Sequence, residues 1–330
     1  VKLCRENRIS THSGPEIAAA HAEFARAAQG RSALYVELAN SVAGDGELLG
    51  RIAALPLEKQ QPNLLFGAMK YLFGPADGWP HFRSLARTHW PEVESVMRAR
   101  RTQTNEPARC ATLLPVLAGL PQPLALLEVG ASAGLCLLPD KYAHDYGRAK
   151  IPPTKRDTDA PIFRCAADAA TPIPTRNIEV VWRAGMDLEP LDVANDDDMR
   201  WLKALVWPDE GDRETLLAKA IAIARADPPR LVQGDLRRGL AALAAEAPKE
   251  ATLVIYHSAV LNYVRDPAER AQFAECVRAT GARWIANEGQ DVFFPGNKRS
   301  WPAGSYFILT LDGKPLARTE SHGASIEWLA

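Results

Sequence analysis

The sequence predicts an α/β protein in two parts: an all-helical N-terminal domain, then a mostly parallel, doubly wound sheet closed by an antiparallel hairpin. Three observations carry this. Residues 15 to about 118 space their apolar side chains three and four apart, with no strand-like alternation. From residue 124 onward, short apolar runs alternate with helical stretches, the pattern of a parallel sheet covered by helices. Near the C-terminus, Asp312-Gly313 stands between two strand-like runs, a hairpin signal.

The helical part (1–120) begins with "PEIAAAHAEFARAAQ", where Pro15 and Glu16 suit a first turn and Gly30 ends the helix. "SALYVELANSVAG", "DGELLGRIAAL", "PNLLFGAMKYLF" and "PEVESVMRARR" repeat the spacing, punctuated by Gly or Pro. The α/β part (121–330) opens with "LALLEV" (124–129), a continuous apolar run suited to a strand buried on both faces. "LVQGD" (231–235), "TLVIYH" (252–257) and "RWIANE" (283–288) are further strands, separated by the helical "LRRGLAALAAEA" and "PAERAQFAECVRAT". Between them, about 148–226 interrupts the alternation and is expected to be a helical insertion over the ligand edge. Asp196, Asp197 and Asp198 in it read as the acidic first turn of a helix, not as a metal cluster.

Composition narrows the classes. With 47% hydrophobic residues the chain can build a sizeable core. A formal charge of −1 offers no field to gather nucleic acid or an anionic membrane, so neither is expected as a partner. The five cysteines (4, 110, 136, 165 and 276) are scattered and never spaced C-x-x-C, which fits reduced thiols in a cytoplasmic protein and no zinc site. No apolar run reaches the roughly 18–20 residues of a membrane span, and "VKLCRENRIS" has no apolar core of a signal peptide. Oligomeric state is not written in the sequence.

The chemistry centres on "LALLEVGASAGLCLL" (124–138), which fits two motifs. Gly130-Ala131-Ser132-Ala133-Gly134 matches G-x-S-x-G, the nucleophile elbow of serine hydrolases, and Asp235 and His257 follow Ser132 in the required chain order. Against it, no strands or oxyanion-donor loop precede the motif. The same residues, counted from Glu128, make E-x-G-x-S-x-G, a nucleotide-type loop after a first strand. There Gly130 and Gly134 permit a tight turn and close approach, and a helix after Gly134 is expected to aim its free N–H groups at a ligand. Acids at later strand ends, Asp145 in "YAHDYG" and Asp235 in "QGDL", would accept from ribose hydroxyls and the adenine amino group. A purely structural glycine loop is the third possibility.

"LLEVGASAGL", "RRTQTNE", "WRAGMDLEPLDV", "LKALVWP" and "HSAVLNYV" together resemble an uncharacterised bacterial family, domain of unknown function 2332, over nearly the whole chain. Through the loop at 128–134 and the strand and loop at 253–264 that family resembles class I, Rossmann-like methyltransferases that use S-adenosylmethionine. The resemblance implies a Rossmann-like sheet, S-adenosylmethionine held by Glu128, Gly130, Ser132, Gly134, Asp145 and Asp235, and methyl transfer to a small or medium acceptor. Ser132 departs from it, standing where such loops usually have Gly.

His257 closes "TLVIYH" and is the candidate base for a protonated acceptor; a buried, backbone-bonded imidazole is its plain alternative. Tyr256, Ser258 and Asn262 are lesser candidates beside it, and Tyr263 is expected to pack on the core. In "RARRTQTNEPAR" (98–109), Arg101, Gln103 and Asn105 form a polar knot, with Arg101 suited to hold a carboxylate in bidentate fashion. Asn287 and Glu288 end a strand where open α/β sheets bind ligands and are assigned to the acceptor pocket.

Overall fold

A computed structural model describes residues 13–264, 266–293 and 306–329. Cys4 lies outside them. The chain divides into two compact units: residues 1–103 with 200–214, and residues 104–199 with 215–330.

The first unit is helical: α1 (Gly14–Ala28), α2 (Ala33–Gly44), α3 (Gly46–Ala53), α4 (Pro62–Phe73), α5 (Trp79–Thr88) and α6 (Trp90–Ala99). Polar side chains cap the starts of α2 and α3. Ser32 Oγ accepts from Tyr35 N (3.1 Å), and Asp45 Oδ1 from Leu48 N (3.0 Å). Residues 200–214 belong here because their tryptophans do. Trp207 packs on Phe24 and Tyr35, and Trp201 Nε1 donates to the Arg101 carbonyl (2.9 Å). Gly67 of α4 leaves room for Leu205, whose Cδ2 lies 2.6 Å from where a Cβ would stand.

The second unit runs α7 (Arg109–Ala118), β1 (Leu124–Val129), β2 (Ala143–Asp145), β3 (Lys150–Ile151), β4 (Ile162–Arg164), β5 (Ala166–Ala167) and β6 (Val180–Asp187). Then come α8 (Asp196–Ala204) and α9 (Gly211–Ala226), each crossing the division between units, and β7 (Arg230–Gln233), α10 (Leu240–Ala244), β8 (Thr252–Ser258), α11 (Pro267–Ala279), β9 (Arg283–Gly289), α12 (Gln290–Phe293), β10 (Tyr306–Leu311), β11 (Lys314–Glu320) and β12 (Ser325–Trp328). A nine-stranded sheet has the order β5-β12-β11-β10-β9-β8-β1-β6-β7, and β3-β2-β4 form a separate small sheet. Strands β7, β6, β1, β8 and β9 are parallel; β9 to β12 pair antiparallel, with the turn at Asp312-Gly313 as expected. One face of the sheet (Leu127, Val129, Ala184, Met186, Ile255, Ala286) packs on Leu240 and Leu243 of α10 and on Phe273 and Val277 of α11.

Two expectations need correction. The segment 148–226 is not simply a helical insertion: it supplies β6, the strand beside β1. Arg183 and Gly185 interrupt the apolar run of β6 and hid it. Arg183 is accommodated by a two-point ion pair with Asp140 (2.8 and 3.0 Å), and Gly185 makes room for Ala131. Nor does an α-helix follow Gly134. Two short 3-10 turns, Leu135–Leu137 and Pro139–Lys141, take its place. Pro139 would break a helix, and side chains occupy the carbonyls that a helix would have used. Tyr142 donates to Leu135 O (2.8 Å), Tyr256 to Cys136 O (2.9 Å) and Arg183 to Leu137 O (2.8 Å).

Candidate functional site

Counted in chain order, the five parallel strands lie 3-2-1-4-5 across the sheet. The chain winds outward from β1 through β6 and β7, then returns to β8 on the other side. The carboxyl ends of β1 and β8 therefore form the switch point, where open α/β sheets place their ligands.

The loop after β1 is built for this edge. Gly130 and Gly134 take positive φ (73° and 71°), and so does Ser132 (52°). Gly130 N and Ala131 N donate to Met186 O (2.8 and 3.2 Å), and Ser132 N donates to Asp187 Oδ2 (2.8 Å). The space that the glycines leave is filled by the protein. A Cβ on Gly130 would meet Val260 Cγ2 at 2.3 Å, and one on Gly134 would meet Pro229 Cγ at 2.5 Å. Close approach to a ligand is thus not what requires glycine at 130 or 134; the loop after β8 and the lead-in to β7 require it.

Asp187 ends β6. Its Oδ1 accepts from Glu189 N (2.9 Å) and its Oδ2 from Ser132 N, which leaves lone pairs on both oxygens. The next residue, Leu188, is 56% exposed. Asp187 occupies the strand-end position expected for Asp145. Asp145 instead ends β2 of the small sheet, where Gly147 N (2.9 Å) and then Lys150 (3.5 Å) hold its carboxyl below the usual range. Asp235 does lie just past β7, at the same edge as Asp187. Arg237 takes both of its oxygens, lowers its pKa and also pairs with Glu269.

On the sheet face opposite α10 and α11, the carboxyl ends of the strands carry buried polar atoms without a partner among the described residues: Glu128 Oε2 on β1, Ser258 Oγ on β8 and Asn287 Nδ2 on β9, with Ser132 Oγ in the loop. Ser258 and Asn287 are neighbours in register. Asn287 Oδ1 accepts from Thr319 Oγ1 (2.8 Å), which directs the amide nitrogen away from Thr319. Burial above all, then the Cys136 thiol and Asp187, push Glu128 well above the usual carboxylate range. Arg109, at the start of α7, donates through Nε to Ser321 O (2.9 Å) and through Nη1 to Ser258 O (3.2 Å). Its guanidinium is close enough to act electrostatically on Glu128.

His257 lies on the other face and has no exposed surface. Trp284 Nε1, which can only donate, reaches His257 Nε2 at 3.0 Å, so Nδ1 carries the proton and donates to Glu288 Oε1 (2.7 Å). That same Glu288 oxygen accepts from Val260 N (2.8 Å) and Leu261 N (3.1 Å). His257 and Glu288 thus hold the loop that covers Gly130, rather than face a bound molecule. The proposed Ser132, Asp235 and His257 triad is not assembled, because Arg237 holds Asp235, and Trp284 and Glu288 hold His257.

The remaining candidates divide. Tyr256 is buried and spends its hydroxyl on Cys136 O. Arg101 and Gln103 belong to the helical unit, whereas Asn105 belongs to the α/β unit. Tyr263, expected against the core, is 65% exposed. Asp187 and Arg109 were not singled out as site residues. Both stand in stretches already quoted, "WRAGMDLEPLDV" and "RARRTQTNEPAR", and what marks them is the strand end and the helix start that they occupy.

The family model described as "Uncharacterized protein conserved in bacteria (DUF2332)" matches residues 18–328, and the chain belongs to that family. No curated protein and no solved structure matches the chain.

Proposed function

For this member of an uncharacterised bacterial family, we propose S-adenosylmethionine binding at the carboxyl edge of β1 and β6, with transfer of its methyl group to a small or medium acceptor. One observation carries the reading. Asp187 ends the strand next to β1, touches the glycine loop through Ser132 N, and keeps lone pairs on both oxygens one strand away from the switch point between β1 and β8. An acid in that place suits the two hydroxyls of a ribose. Exposed Leu188 beside it offers an apolar surface for a purine ring. The resemblance of 128–134 and 253–264 to class I methyltransferases selects S-adenosylmethionine among nucleoside ligands.

When bound, that molecule supplies an electrophilic methyl carbon. The chain's own part is to bind, align and exclude water. Asp187 fixes the nucleoside, the loop after β1 sets its position relative to the strand ends, and Glu288 with His257 keeps the loop after β8 in place. Titration calorimetry with S-adenosylhomocysteine tests the reading, with an expected affinity in the micromolar range, about −8 kcal/mol. Absence of heat and of any thermal shift with either adenosyl compound would remove it.

A further inference from the structure

Resting on that reading, we propose that the acceptor carries a carboxylate, held on the β8–β9 side of the edge by Arg109, Ser258 and Asn287. The nucleoside side is set by Asp187 on β6, and these three groups lie on the opposite side of β1. Ser258 and Asn287 are register partners on adjacent strands and the same face, about one strand spacing, ~4.8 Å, apart. Each brings a buried polar atom without a protein partner, Ser258 Oγ and Asn287 Nδ2. Such groups are costly to bury unless something bonds to them.

The donor count favours an anion. Asn287 is fixed with its nitrogen available, because its oxygen is taken by Thr319. Arg109 is 8% exposed, and its assigned bonds are to two main-chain carbonyls, Ser321 O and Ser258 O. Among the described residues no carboxylate lies within ion-pair distance of it. A buried guanidinium without a counter-ion, next to a hydroxyl and an amide N–H₂, matches the bidentate, planar demand of a carboxylate. Burial pushes the nearby Glu128 carboxyl well above the usual carboxylate range, which weakens its competition with a bound anion for Arg109. The Phe307 ring, 5.7 Å from the guanidinium carbon, backs the site.

The test uses the whole chain and acetate as the minimal carboxylate, with acetamide as its neutral counterpart, followed by the Asn287 Nδ2 proton resonances. Acetate is expected to shift them saturably and acetamide to leave them unmoved, in protein saturated with methylthioadenosine, which lacks a carboxylate. Ser258→Ala is expected to weaken acetate about tenfold, the worth of a hydrogen bond to a charged group, without lowering the melting temperature, since that hydroxyl has no protein partner. Arg109→Met should abolish acetate binding; if it fails to fold, the Ser258→Ala series carries the result. Absence of an acetate shift in protein that binds methylthioadenosine would overturn the subsite and leave these groups to ordered water. A shift caused by S-adenosylhomocysteine but not by methylthioadenosine, and lost in Ser258→Ala, would assign the carboxylate to the methyl donor and overturn the acceptor assignment. Acetate binding in protein that binds neither adenosyl compound would keep the subsite and remove the methyltransferase reading.

Discussion

Asp187→Asn separates a ribose-binding acid from one that only shapes the loop. The substitution keeps the side chain's size but turns one oxygen into an N–H₂ group. In the wild type the two oxygens accept from Ser132 N and Glu189 N. Whichever way the amide turns, one of those N–H groups faces another donor, so the variant should lose about 1–3 kcal/mol of stability. Two ribose hydroxyls bonded to a carboxylate contribute about 1.5–3 kcal/mol each, and the amide recovers about 1 kcal/mol. The expected loss of S-adenosylhomocysteine affinity is therefore roughly 2–5 kcal/mol, or about 30- to 4,000-fold. Calorimetry with the 2′-deoxy analogue isolates the contact. The wild type should bind the analogue about tenfold or more weakly than the parent ligand, and Asp187→Asn should distinguish the two by about fivefold at most. A variant that is destabilised but still discriminates as the wild type does would refute the assignment and leave Asp187 as a support for the loop.

Three further outcomes follow from named contacts. Gly130→Ala forces a side chain into positive φ and against Val260, at about 2–4 kcal/mol together; urea melts should show Val260→Ala recovering the steric part and not the rest. His257→Ala removes a buried hydrogen bond to the Glu288 carboxylate and should cost about 1.5–3 kcal/mol while Trp284 fluorescence changes; a loss of turnover with stability intact would instead make His257 catalytic. His144, buried with Nε2 on Pro139 O, has its pKa pushed down from 6.5 to about 4. Below pH 6.5 the unfolded chain takes a proton that the folded one refuses, so stability is complete above 6.5 and falls as the pH drops toward 4. The difference of about 2.5 units corresponds to about 3 kcal/mol. Denaturation at pH 7, 5.5 and 4 should show that slope in the wild type and a shallower one in His144→Gln.

What could be read in advance follows from how local each signal is. The strands β1, β7, β8 and β9 and the turn at Asp312-Gly313 were legible because continuous apolar runs and an Asp-Gly pair are short-range features. Strand β6 was not, since Arg183 is buried only by virtue of Asp140, 43 residues away, and Gly185 is explained only by Ala131 lying over it. With β6 went Asp187, the acid to which we assign the ribose. The ribose-binding position was sought at a spacing of 17 residues from Glu128, where Asp145 stands, but the small sheet β3-β2-β4 intervenes before the second strand of the main sheet. The glycines at 130 and 134 were identified for a real constraint, positive φ, yet the close approach that they permit is to Val260 and Pro229.

The two faces of the sheet differ in how fully their polar groups are satisfied, which residue type alone does not reveal. Imidazole is the side chain most suited to proton transfer near neutral pH, so His257 drew the catalytic role. Its position gives it the opposite character: both ring nitrogens are engaged, and one Glu288 oxygen gathers three N–H donors, leaving Glu288 Oε2 as the unpaired atom of that network. A network so nearly closed fixes a loop. Across the sheet, Glu128, Ser258 and Asn287 each retain an atom with no hydrogen-bond partner among the described residues, beside a guanidinium with no ion-paired carboxylate among them. Buried polar groups that lack partners cost free energy in the empty protein, and that cost is recovered when a molecule of matching polarity binds. On our proposal the ligand meets the face that carries Glu128, Ser258 and Asn287, while His257 and Glu288 hold the loop after β8.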